Sequence, residues 1–346
     1  MKITRINILS VTFFVIIIIY FLDFYLLENN ANENFWCVEI IENYKFGNLE
    51  NIKFPIHCDE GTYRLATLSL EDFFDRSNPY QGRPLFVGFI ALMRILISNL
   101  SIIEFSEYQQ FKVAIFLVQF FILYFIVKFF IQTVKFDRLG VKETVLIFLV
   151  CSIPSIRWNL FFPSVGNITF LLFLISLKFL TDTEKDKKNE NIIFLVLGFL
   201  SLAHLSAIIY GLIIMLRLFI KEKKIKAQLA IQLGLLTLPY ITYRQLVSVS
   251  KYEYYDWHKN VYNQFYWIID SFQKKSLNFE DSYCQTFSTF FECNNIVTLN
   301  FLGYFLILLI FFIFLILIDK SKFKNSQKIL SNSLFICIFI FIFWSF

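Results

Sequence analysis

Charge is scarce in this 346-residue chain: Asp, Glu, Lys and Arg make up 17% of it, and histidine occurs three times. The net charge of +5 is small, and no nucleic-acid partner is expected from it. No glycine-rich phosphate loop, serine–histidine elbow or Cys-x-x-Cys pair occurs, which argues against nucleotide chemistry. His57, Asp59 and Glu60 are close in sequence and His258 lies far away. Neighbouring residues point in different directions and no recurring ligand spacing joins these four, so neither a divalent metal nor another cofactor is expected. The two halves show no internal repeat of the kind that transporters use. No small-residue cleavage site follows the first apolar run, which therefore reads as a retained signal anchor.

What the chain has in abundance is apolar surface. It is 57% hydrophobic, its mean hydropathy is +0.60, and 46 of its residues are phenylalanine. The expected fold is an all-α integral membrane protein, a single polytopic domain over 1–346. Lys2 and Arg5 precede the first run, 6–27, and place the N-terminus in the cytoplasm. Residues 28–83 carry ten acids against five bases and form a first external loop; 248–296, rich in Trp and Tyr, form a second. Further spans are expected at 111–134, 144–158, 167–180, 227–247, 296–318 and 329–346. The run 192–220 has charged flanks at both ends and reads as two short helices turning at 203–206. The run 84–100 is short and contains Arg94, and it reads as a re-entrant or juxtamembrane helix. The total is about nine transmembrane helices, with the plasma membrane (the inner membrane of a bacterium) as the expected location.

The polar stretch 58–86 interrupts this apolar chain. It interleaves Asp59, Glu60, Glu71, Asp72 and Asp75 with Arg64, Arg76 and Arg83. A plain solvated loop would have such charges too. Yet Arg94, Arg157, His204 and Arg244 fall near the external ends of their expected helices, where they would surround the same face. Each alone reads equally well as a snorkelling side chain. Together, cations beside a carboxylate pair suit an anionic lipid headgroup, a phosphate or pyrophosphate. Cys37, Cys58, Cys284 and Cys293 lie in the two external loops; Cys37–Cys58 and Cys284–Cys293 are the suggested disulfides, although three connectivities are open.

The layout resembles the GT-C glycosyltransferases: one span, a long external loop with an acid pair, an Arg-Pro-Leu helix start, then a bundle. The matching patches are Asp59-Glu60-Gly61-Thr62-Tyr63 and Arg83-Pro84-Leu85-Phe86. The resemblance implies transfer of a sugar from a polyprenyl-phosphate carrier to an extracytoplasmic glycan, lipid or protein. It assigns the catalytic carboxylate to Asp59, with Glu60 as the neighbour that could replace it. Arg64, Arg83, Arg157, His204 and Arg244 would hold the donor. Some members carry a second acid where the third and fourth spans meet; here that segment is Phe162-Pro163-Ser164-Val165-Gly166-Asn167, with no acid. A second pattern, Arg157 followed by Ala203-His204-Leu205-Ser206-Ala207, resembles the Wzy/EpsG-type polysaccharide polymerases, which also act on lipid-linked sugars. If 84–100 does not span, a cysteine placed at Ser106 should react with a membrane-impermeant thiol reagent from the outside; labelling from the cytoplasm alone would reverse every later helix.

Overall fold

The computed structural model describes residues 4–21, 38–46, 49–57, 60–75, 78–99, 105–136, 139–152, 154–181, 187–222, 227–249, 329 and 331–336. The chain divides into two compact units, Met1–Ala31 with Val38–Tyr255 and Asn32–Cys37 with Asp256–Phe346. In the second unit the described residues are the short helical stretch at 329 and 331–336. All other elements belong to the first unit.

Its axis is a 28-residue helix, α5 (Glu107–Val134), about 42 Å long at 1.5 Å per residue. A capping box starts it: Ser106 Oγ accepts from Gln109 N at 3.3 Å, and the Gln109 side chain accepts from Ser106 N at 2.8 Å. Lys135, at φ 59°, ends it in the left-handed region. Phe111, Ala114, Ile115, Leu123, Ile126 and Val127 of α5 are buried. Packed against it are α1 (Arg5–Phe21), α4 (Pro84–Asn99) and α8 (Gly166–Thr181). Between α5 and α8 run α6 (Val141–Cys151), α7 (Pro154–Arg157) and a 3-10 turn, Trp158–Leu160. Three more helices follow: α9 (Lys187–Leu200), α10 (Ser206–Glu222) and α11 (Ala227–Val249).

Among the described residues only α5 is long and apolar enough to cross a membrane; α1, α4, α8, Asn191–Leu200 and Ser206–Ile220 are shorter apolar helices. The helix expected at 144–158 ends early, at Cys151, because Pro154 cannot continue it. The expected turn at 203–206 is present between α9 and α10.

The helical body agrees with the all-α expectation, and the segment 28–83, expected as a first external loop, adds one hairpin to it. Val38–Phe46 (β1) and Leu49–His57 (β2) pair antiparallel, with Val38 opposite His57 and Phe46 opposite Leu49. Both runs are rich in β-branched and aromatic residues, and in sequence Gly47-Asn48 separates them, a two-residue hairpin signal. The rest of that loop folds as α2 (Glu60–Ala66), α3 (Leu70–Phe73) and a 3-10 turn, Pro79–Gly82.

The contact of α9 with α11 is backbone-close. Pro239, inside α11, offers no N–H to Leu235 O, four residues earlier. Gly198 of α9 lies against that carbonyl, and a Cβ built there would collide with it. Gly198→Ala is therefore expected to cost about 1–3 kcal/mol in unfolding measurements. By contrast, a Cβ at Gly234 meets nothing within 4 Å, so Gly234→Ala should be neutral or stabilising.

Candidate functional site

The site is built around α2. Glu60, its first residue, is 3% exposed. A carboxylate taken so far out of water requires a partner. It has two, both from α5: the Lys112 ammonium forms an ion pair with it, and Tyr108 Oη donates to Glu60 Oε2 at 3.1 Å. Lys112 is itself buried, its Nζ 5.6 Å from the centre of the Tyr108 ring. Glu60 is thus committed to holding α2 against α5.

The other end of α2 is held by Arg94, from α4. Arg94 donates to Thr67 Oγ1 at 2.6 Å and to the Arg64 carbonyl at 3.2 Å, and it lies 3.8 Å from Glu107. Its guanidinium is 5.8 Å from the centre of the Phe111 ring. Sequence reasoning placed Arg94 in the ring of cations on the external face. Instead it is buried, donating to the Arg64 carbonyl in the last turn of α2 and to the Thr67 hydroxyl just beyond it. Arg64 enters this contact through its carbonyl.

Arg83 occupies the middle. Its Nη1 donates to Tyr63 Oη at 2.6 Å, and its guanidinium lies 5.4 Å from the centre of the Tyr80 ring. Tyr63 and Tyr80 stack with centroids 3.7 Å apart, and Phe86 meets Tyr63 edge-on at 6.0 Å. Asn78 ties the preceding turn together, donating to Phe73 O at 2.8 Å and accepting from Tyr80 N at 2.9 Å. The turn between α9 and α10 reaches this place: Leu85 N donates to Leu202 O at 3.0 Å. His204 is in that turn, and its Nδ1 shares a 2.6 Å hydrogen bond with Ser206 Oγ. Burial first, and then the nearby Arg83 charge, push the His204 imidazole down to about 3, so it is neutral at physiological pH. The last turns of α11 arrive too. Tyr243 Oη donates to Gln81 O at 2.7 Å, which brings the neighbouring Arg244 to the same end of the helices.

Arg157 ends α7, in the break before α8. A buried carboxamide on α5 secures that break: Gln119 Nε2 donates to Phe162 O at 2.9 Å and Ser164 O at 2.7 Å. Asn167 Nδ2 donates to Gln119 Oε1 at 3.1 Å. Gly166 allows Asn159 to approach where a Cβ would collide with its carboxamide. This is the segment where a second acid would be sought, and it contains amides in its place.

Asp59, Cys37, Cys58, Cys284 and Cys293 lie outside the described residues. Cys151, in α6, is a buried free thiol. Of the other expected residues, Arg83, His204 and the end of α11 that carries Arg244 come together; Glu60 pairs with Lys112, Arg64 meets Arg94 through its main-chain carbonyl, and Arg157 lies in the break before α8. Sequence reasoning missed Tyr108, Lys112 and Gln119. Their spacing of four and seven places them on one face of α5, a polar stripe within an apolar run. Comparison with protein families, curated proteins and solved structures found no match.

The buried pair generates a stability prediction. Glu60→Gln and Lys112→Met should each cost about 3–5 kcal/mol, because each leaves one buried charge uncompensated. The double variant should be more stable than either single one, as read from unfolding midpoints in detergent.

Proposed function

We propose that the protein is a membrane glycosyltransferase that moves a sugar from a polyprenyl-phosphate-linked donor to an extracytoplasmic glycan, lipid or protein acceptor. The observation that supports this reading is the convergence of three separate parts of the chain on the short segment around Arg83: α2 through the Tyr63–Arg83 bond, the α9–α10 turn through the Leu202–Leu85 bond and His204, and the end of α11 through the Tyr243–Gln81 bond. A guanidinium whose position is fixed by an aromatic stack is suited to grip a phosphate. Departure of the carrier phosphate leaves charge on its oxygens, and a preorganised cation lowers that barrier. In this reading Arg83, His204 and Arg244 line the donor phosphate site, and Arg64 and Arg157 are the further donor-binding candidates. Asp59, next in the chain to the anchored Glu60, acts as the base that receives the acceptor's proton. The N-terminus is cytoplasmic and the site faces outward, because the short loops after α5, α8 and α10 carry the lysine clusters.

The test is transfer from a polyprenyl-linked sugar in membranes that contain the protein, with the donors taken from lipid-linked intermediates that accumulate in a deletion strain. Asp59→Asn should reduce turnover by about 100-fold or more at unchanged expression. Arg83→Ala should raise the donor concentration needed for half-maximal rate, and Arg83→Lys should recover part of it. Full activity in Asp59→Asn and Arg83→Ala together would remove the basis for this assignment.

A further inference from the structure

We propose that Ser206 sets the tautomer of His204: the Ser206 hydroxyl donates to Nδ1, the ring hydrogen sits on Nε2, and that N–H donates to a phosphate oxygen beside Arg83. The phosphate is that of the lipid-linked donor, so this part rests on the transferase reading; the tautomer does not. The contact that carries it is the 2.6 Å hydrogen bond between His204 Nδ1 and Ser206 Oγ. A neutral imidazole has one ring hydrogen, on Nδ1 or on Nε2, and its other nitrogen accepts. The surroundings of Ser206 decide between the two. Ser206 is the first residue of α10 and is 4% exposed. The first turn of a helix offers N–H donors, not carbonyl acceptors. The carbonyl that a helical serine ordinarily uses lies four residues earlier; here it is Leu202 O, which already accepts from Leu85 N. Among the described residues the Ser206 hydroxyl has one hydrogen-bonding partner, His204 Nδ1. A hydrogen on Nδ1 would point at Oγ and leave the hydroxyl hydrogen buried without an acceptor, which is costly. The serine therefore donates, Nδ1 accepts, and the ring hydrogen is on Nε2.

The ring hangs from a fixed piece of main chain. His204 N donates to Leu200 O at 3.0 Å, and His204 O accepts from Ala207 N at 3.1 Å. Ala203 and Ala207 on either side are buried. With Nδ1 engaged by Ser206, the ring acts as a donor at Nε2. Arg83 is close enough for its charge to act on the imidazole, and a second positive charge there is disfavoured. His204 is thus a neutral N–H donor next to a guanidinium. That pairing favours an acceptor that bears negative charge and disfavours a cation. A phosphate oxygen meets the requirement: Arg83 supplies the charge, and His204 adds direction without adding charge. Ser206 touches no substrate in this scheme; it is a positioning residue that acts through His204.

The experiment is nitrogen-15 NMR of the full chain, labelled in the histidine rings and reconstituted into phosphatidylcholine nanodiscs. The chain has three histidines, and His204→Gln identifies the signals of position 204. At neutral pH His204 is expected to show one protonated and one unprotonated ring nitrogen, the protonated one being Nε2. A hydrogen on Nδ1, or on both nitrogens, would overturn the proposal. Ser206→Ala removes one hydrogen bond of ordinary strength, so it should raise the Nδ1-protonated share about 5-fold. A spectrum that Ser206→Ala leaves unchanged would overturn the role of the serine. Polyprenyl phosphate and, separately, inorganic phosphate are then added. A shift of the Nε2 signal that is lost in Arg83→Ala is expected; with the lipid alone it identifies a lipid-linked phosphate, and with both it identifies the phosphate group as sufficient. No shift with either would overturn the phosphate contact. Sugar transfer without this shift would remove the present proposal and leave the transferase reading in place; the shift without sugar transfer would do the reverse.

Discussion

The docking of α2, and of the polar groups that meet it, depends on one contact, the ion pair between Glu60 and Lys112. Neither group is stable alone in an apolar interior, where each charge is costly to strip of water. Together, with the Tyr108 hydroxyl on the second carboxylate oxygen, they fix the first turn of α2 on α5. Once α2 is fixed, Tyr63 is placed to receive Arg83, and the Arg64 carbonyl is placed to receive Arg94. The segment after the hairpin is thus a docked structure, not a solvated loop.

A single helix coordinates two irregular pieces of chain. Lys112 and Gln119 are seven residues apart on α5, about 10 Å along its axis. The upper residue holds α2 through a charge; the lower holds the break at 161–166 through two carbonyls. The difference in chemistry follows from what is being held. A carboxylate needs a cation, whereas non-helical backbone needs neutral donors, and a carboxamide supplies them without adding charge. The break between α7 and α8 can therefore lie deep in the helical body.

Much of the helical map was legible in the sequence. Apolar runs bounded by charged residues predicted α5, α8 and α11 to within a few residues, and the two-sided charge of 192–220 predicted its division into α9 and α10. The hairpin was overlooked because segment 28–83 was weighed by charge balance, which is blind to the alternation and the Gly47-Asn48 pair that encode a strand–turn–strand. Arg94 was misread because its position in an apolar helix says that it needs partners, not where they are; those partners, Arg64 and Thr67, precede it by about 30 residues. Lys112 lay just inside the expected start of a span, where a cation passes for a snorkelling end residue. Only its spacing from Tyr108 and Gln119 separates it from that class.

The hydrogen bond between Leu85 N and Leu202 O joins two stretches of chain more than a hundred residues apart, and it uses main-chain atoms alone. Any residue except proline at position 85, and any residue at all at 202, retains the groups that form it. The apposition of Arg83 and His204 is thereby insulated from drift in the side chains next to them. Exchange of the apolar side chains at these two positions therefore leaves the main-chain link between the two stretches, and with it the polar centre, in place.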